Sequence, residues 1–155
     1  IRCPNVALTK QGLLFAYEHD TGPATTEVAL VDRQGREVYR TKGRAPVLCA
    51  AGTGCVLATE QASVNAVHMR LVHVGGDGTH VPGHTQDVQE GDYLFNASIA
   101  WSEADRAVVI AAESSPCFGY GNQIGLHRTI HVGQWDLKST PVSLGMLPVE
   151  KAAPA

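Results

Sequence analysis

Three segments of the chain share one pattern of apolar and polar positions. They are Leu13-Leu14-Phe15-Ala16-Tyr17-Glu18, Cys55-Val56-Leu57-Ala58-Thr59-Glu60 and Val108-Val109-Ile110-Ala111-Ala112-Glu113. Each reads as three apolar residues, Ala, any residue, then Glu. The glutamates stand 42 and 53 residues apart. Self-similarity at such a period marks a repeat architecture. A short apolar stretch and a turn precede each hexapeptide: Asn5–Leu8 with Lys10-Gln11-Gly12, Pro46–Cys49 with Gly52-Thr53-Gly54, and Ser98–Trp101 with Glu103-Ala104-Asp105-Arg106. An alternating stretch follows each one: Thr26–Asp32, Val67–Val74 and Gln123–Ile130. A period of two with one apolar face predicts a half-buried strand.

Turn signals close the first two of these stretches, at Asp32-Arg33-Gln34-Gly35 and Gly75-Gly76-Asp77-Gly78. Val38–Thr41 and His80–Gln86 then predict fourth, outer strands. The third copy loses its pattern around Val132-Gly133-Gln134-Trp135. Each unit thus predicts four strands joined by hairpin turns. The chain predicts one all-β domain over residues 1–150, with units at about 3–45, 46–91 and 92–145 and a tail at 151–155. A helix across Val56–Val72 is the weaker reading, because the apolar positions alternate and a helix would break the three-way alignment.

Composition narrows the picture. The 155 residues are 44% hydrophobic and 17% charged. That is enough apolar side chain for a core and too much for a disordered chain. No apolar run reaches the roughly 18 residues of a membrane helix. The net charge of −3 leaves no basic patch and excludes a nucleic-acid partner at this level of reading. The four cysteines form no CxxC pair, which argues against structural zinc and for disulfides. Disulfides imply a secreted or periplasmic setting. Ile1, with no leader pattern around it, fits a processed chain or a piece of a precursor.

A four-stranded unit of this length is the blade of a β-propeller. The hexapeptide, entered through a turn, resembles the inner strand of blades in bacterial secreted propellers, myxobacterial extracellular proteins among them. The resemblance covers about residues 3–140. It carries no Gly-His/Trp-Asp pair, no kelch double glycine and no Asp-box. It implies three propeller-like blades. Three blades do not close a ring of four to eight, so it also implies part of a larger propeller, completed by a second copy or another chain. The alternative fold is a β-sandwich or barrel. The resemblance further implies a disulfide between Cys49 and Cys55 across the turn that separates them.

Candidate chemistry is sparse. Glu18, Glu60 and Glu113 share one structural rank, at the ends of inner strands, and are candidate ligand-binding or acid/base groups at a channel mouth. The competing reading makes each a hydrogen-bond partner of neighbouring backbone. The longest loop, Ser114–Asn122, carries Phe118 and Tyr120 as candidate rim contacts to sugar or protein. Its Cys117 is a candidate partner for Cys3. The spacing of His80 and His84 around Pro82-Gly83 excludes one helix face, and the histidines read as solvated or locally bonded. No nucleophile elbow, phosphate loop or metal-ligand set is present in the sequence, and no metal or cofactor is expected. The leading function is a non-catalytic assembly or ligand-binding module. The alternatives are part of a propeller hydrolase or lyase that uses the glutamates, and an oligomeric lectin.

Overall fold

The structure is a computed structural model and describes residues 2–22, 25–62, 67–75, 79–82, 86–87, 92–116, 128–139 and 142–149. The chain is all-β, and its described secondary structure is thirteen strands. They form three antiparallel sheets that follow one another along the sequence. The first sheet contains β1 (Arg2–Thr9), β2 (Gly12–Gly22), β3 (Thr25–Asp32) and β4 (Glu37–Lys42) in that order. The second contains β5 (Arg44–Ala51), β6 (Gly54–Ala62), β7 (Val67–Val74) and β8 (His80–Pro82), with β9 (Gln86–Asp87) also paired to β7. The third contains β10 (Asp92–Ser102), β11 (Ala107–Pro116), β12 (Arg128–Trp135) and β13 (Val142–Val149).

The three predicted hexapeptides lie in β2, β6 and β11, always the second strand of a sheet. Of the stretch His80–Gln86, residues 83–85 lie outside the described residues; β8 and the start of β9 fall in the rest, and both pair with β7 as an outer strand does. The third unit corrects the expectation. Of the predicted Gln123–Ile130, residues 123–127 lie outside the described residues, and Arg128–Ile130 opens a described strand that runs on to Trp135. The apparent loss of pattern at Val132–Trp135 is strand, and a fourth strand follows at Val142–Val149. Gly145 and Pro148 disguise that strand, but it lies at the end of its sheet, where proline is tolerated. The sharp turn before it is held by Asp136, whose Oδ1 accepts hydrogen bonds from the Lys138 N at 2.9 Å and the Ser139 N at 2.8 Å.

The sheets stack through two apolar seams. Ala7, Leu14, Ala16, Val28 and Leu30 of the first sheet meet Leu48, Cys55, Leu57, Val72 and Val74 of the second. Ala51, Val56, Ala58, Met69 and Leu71 of the second sheet meet Ile99, Val108, Ile110, Ala112 and Trp135 of the third. Strand parity explains both lists. Successive side chains point to opposite faces. Leu14 and Ala16, like Val56 and Ala58, face forward to the next sheet. Cys55 and Leu57, like Val108 and Ile110, face back to the preceding one. The middle sheet therefore buries apolar side chains on both faces; Cys55–Ala58 of β6 reads as a continuous apolar run, while His68, Arg70 and His73 interrupt β7.

The closest approaches between sheets involve their first strands, β1 with β5 and β5 with β10. Gly43 alone links β4 to β5, with φ of +142°. A Cβ there would lie 2.9 Å from the Glu60 carbonyl oxygen, so the passage from one sheet to the next needs glycine.

Candidate functional site

Each first strand carries a β-bulge at the same place. In the first sheet Arg2 pairs with Glu18 and Asn5 with Ala16, so Cys3 and Pro4 stand opposite Tyr17 alone. In the second, Arg44 pairs with Glu60 and Val47 with Ala58, which sets Ala45 and Pro46 against Thr59. In the third, Phe95 pairs with Glu113 and Ser98 with Ala111, which sets Asn96 and Ala97 against Ala112. A bulge leaves its extra residue outside the ladder, and proline suits such a position because it has no N–H to offer. The conserved rank of the glutamate is now structural: it is the first partner beyond the bulge in all three sheets.

The bulge of the second sheet meets the first sheet. Glu18 Oε1 accepts a hydrogen bond from the Ala45 N. Ala45 has φ of +48°, a conformation that costs an alanine energy unless its surroundings hold it. Beside it, Asn5 Oδ1 accepts from the Leu48 N at 3.1 Å. Both bonds tie the first sheet to the backbone of β5, one at its bulge and one at Leu48 beyond it. Glu18 is only 9% exposed.

Glu60 is 7% exposed and its Oε2 accepts from Arg44 Nε at 3.0 Å. Burial pushes its carboxyl above the ordinary value, Arg44 pulls it down, and the charge of Glu18 pushes it up again. The two carboxylates thus feel each other across the first seam. Glu113 holds the same register position in β11 and is half-buried. Among the described residues no three His, Cys, Asp or Glu side chains gather as metal ligands would. Glu18 and Glu60 are placed as seam groups, one on backbone and one on an arginine. The Arg-x-Pro of Arg2–Pro4 recurs at Arg44–Pro46 with the 42-residue spacing of the glutamates. That repeat is the sequence signal for the bulge, and it lies outside the hexapeptide pattern.

The expected disulfide between Cys49 and Cys55 is not formed; both thiols are free. The register gives the reason. Ala51 pairs with Gly54 around a two-residue turn, so Ala50 is the partner of Cys55 and Cys49 the partner of Val56. Cys49 therefore faces the third sheet and Cys55 the first. Five intervening residues are an odd number, and a two-residue turn pairs only positions with an even number between them. Burial pushes the Cys49 thiol up to about 11 and the Cys55 thiol up to about 12. Phe118, Tyr120 and Cys117 lie outside the described residues, as does the side chain of Cys3, the proposed partner of Cys117.

At the opposite end of the first sheet a cavity of about 240 Å³ opens among the turns, lined by Gln11, Asp32, Arg33, Arg36 and Gly75 among others. Asp32 is engaged there with Arg36 at 2.7 Å. The larger feature is a surface. Val6 and Leu8 are 53% and 71% exposed, and Leu13 and Phe15 are exposed beside them. Val6 pairs with Phe15 and Leu8 with Leu13, so the four side chains share one face.

No protein-family model, curated protein or solved structure matches the chain. No helix among the described residues is long and apolar enough to cross a membrane.

Proposed function

We propose that the chain is a non-catalytic propeller segment, a fan of three blades that works as an assembly module of an extracytoplasmic protein. The observation that carries this reading is the patch of Val6, Leu8, Leu13 and Phe15. Leu13 and Phe15 hold the back-facing positions of β2. The equivalent positions, Cys55 and Leu57 in β6 and Val108 and Ile110 in β11, are buried against a preceding sheet. The first sheet thus presents a surface built for a neighbour of its own kind. Exposed apolar patches of this sort mark association sites, and a terminal repeat without a polar outer face is one that expects a further unit.

The extracytoplasmic setting now rests on Cys3 and Cys117 alone. An enzyme built on the glutamates is the less favoured reading, because Glu18 and Glu60 are spent on Ala45 and Arg44 inside a seam. The lectin reading depends on Phe118 and Tyr120 and gains nothing from the described residues.

The test is binding of a dye that fluoresces on apolar surface, measured on the chain at dilutions where it is a monomer. The reading expects strong binding, most of it lost in Leu8→Lys/Phe15→Lys. A monomer that leaves the dye unbound contradicts it and favours a self-contained sandwich or barrel.

A further inference from the structure

We propose that two copies of this chain close head to tail, the back face of each first sheet packing on the forward face of the other copy's third sheet. This rests on the open-fan reading above and names its partner.

The chain already makes the required seam twice. In both, forward-facing residues of one second strand (Leu14 and Ala16, then Val56 and Ala58) bury against back-facing residues of the next sheet. Among the described residues, the same parity assigns two further half-seams that no described sheet covers. The back half is Val6, Leu8, Leu13 and Phe15. The forward half lies on the third sheet. Val109 and Ala111 point away from Val108 and Ile110, which are buried in the second seam. The register sets Ala100 beside Val109, Ser98 and Val132 beside Ala111, and Ile130 beside Glu113. Ser98 and Ala100 are exposed, and Val109, Ala111, Ile130 and Val132 are half-buried. One copy therefore carries both halves of an interface whose other instances are seen inside the chain. Two first sheets face to face would instead join two back faces, a contact that occurs nowhere in the molecule.

Two copies suit a closed ring. Closed propellers hold roughly four to eight sheets; the described residues of this 155-residue segment supply three, and two such segments supply six. A head-to-tail contact that failed to close would polymerise into fibres, so closure at two predicts a discrete species. The charged group Glu27, Glu37 and Arg40 lies on the first sheet's back face toward its outer strands, where a polar rim is expected.

Light scattering on the purified 155-residue chain tests this. The wild type is expected at twice 16.4 kDa at micromolar concentration. Leu8→Glu/Phe15→Glu blocks the back face. Ser98→Glu/Ala100→Glu blocks the forward face at exposed positions, so folding is not at stake and far-UV spectra stay unchanged. Each pair is expected to weaken association by about 100-fold or more, since it buries unpaired carboxylates. Mixing the two variants leaves one good seam of two and partly restores the dimer mass. A forward-face variant that remains fully dimeric overturns the proposal in favour of a face-to-face contact. A wild type that stays monomeric, or grows into an open polymer, also overturns it. The dye result judges the open-fan reading separately in either case.

Discussion

The Glu18 carboxylate and the Ala45 amide meet across the seam between the first and second sheets. The bond answers a specific need. A bulge frees the Ala45 N–H from its own ladder and sets the residue at positive φ. An amide shielded from water and left without an acceptor is costly, and Ala45 is half-buried. Glu18, the first partner beyond the preceding bulge, supplies the acceptor. The bulge and the glutamate are two halves of one device, offset by one sheet.

Glu18→Ala should therefore destabilise the chain by about 1–3 kcal/mol, the loss of a part-buried hydrogen bond to a charged acceptor. Glu18→Gln keeps an acceptor and should cost less. Denaturant unfolding of the two variants measures the difference. Equal stability of wild type and Glu18→Ala would remove the seam role.

Gly43 offers a backbone test of the sheet-to-sheet passage. Gly43→Ala combines a positive φ with a Cβ 2.9 Å from the Glu60 carbonyl oxygen. A loss of roughly 1–3 kcal/mol is expected. Gly35→Ala is the control, because Gly35 also has positive φ but has nothing within 4 Å of the added Cβ. Its loss should be the smaller in thermal unfolding.

Much of this architecture was legible in the sequence. The three hexapeptides placed β2, β6 and β11 because apolar runs ending in Glu are hard to satisfy except at a repeated seam. What escaped was register. Whether Cys49 opposes Cys55 depends on whether the turn holds Gly52 and Thr53 alone or Ala51, Gly52 and Thr53, and the glycines around it permit either reading. One residue decides which face each thiol takes. β13 escaped because Gly145 and Pro148 are strand breakers in isolation and are admitted only by an edge. The pairing of Glu18 with Ala45 joins residues in different repeats, which no pattern internal to one repeat reveals.

The cysteines give a chemical test of that register. Alkylation without reductant should label both Cys49 and Cys55 once the chain is unfolded. In the native protein at pH 8 both should react slowly, because burial holds the thiols near 11 and 12 and keeps the thiolate scarce. Mass spectrometry showing them linked to each other would contradict the two-residue turn.

Glu60 predicts the sign of a pH effect. Burial, with the Glu18 charge, outweighs Arg44 and holds its folded-state value above the ordinary 4.5. The folded protein then binds this proton more tightly than the unfolded chain. The contribution is greatest below 4.5 and is lost as pH rises through the folded value. Glu60→Gln should lack this slope, and the difference between the two proteins in urea midpoint should shift in favour of the variant as pH rises from about 4 to 7. A difference that stays flat, or shifts toward the wild type, would contradict the balance assigned here.

The central claim is that three sheets stack in line, the middle one covered on both faces and the outer two on one. Native-state hydrogen exchange on the monomer, resolved strand by strand, tests it most directly, because protection follows burial and local opening. Slowest exchange is predicted in β6 and β7, through global unfolding alone. β2 and β11 should exchange faster, through partial opening of sheets that join only one seam each. Equal protection across all three sheets in a monomer would contradict the stacked, open arrangement.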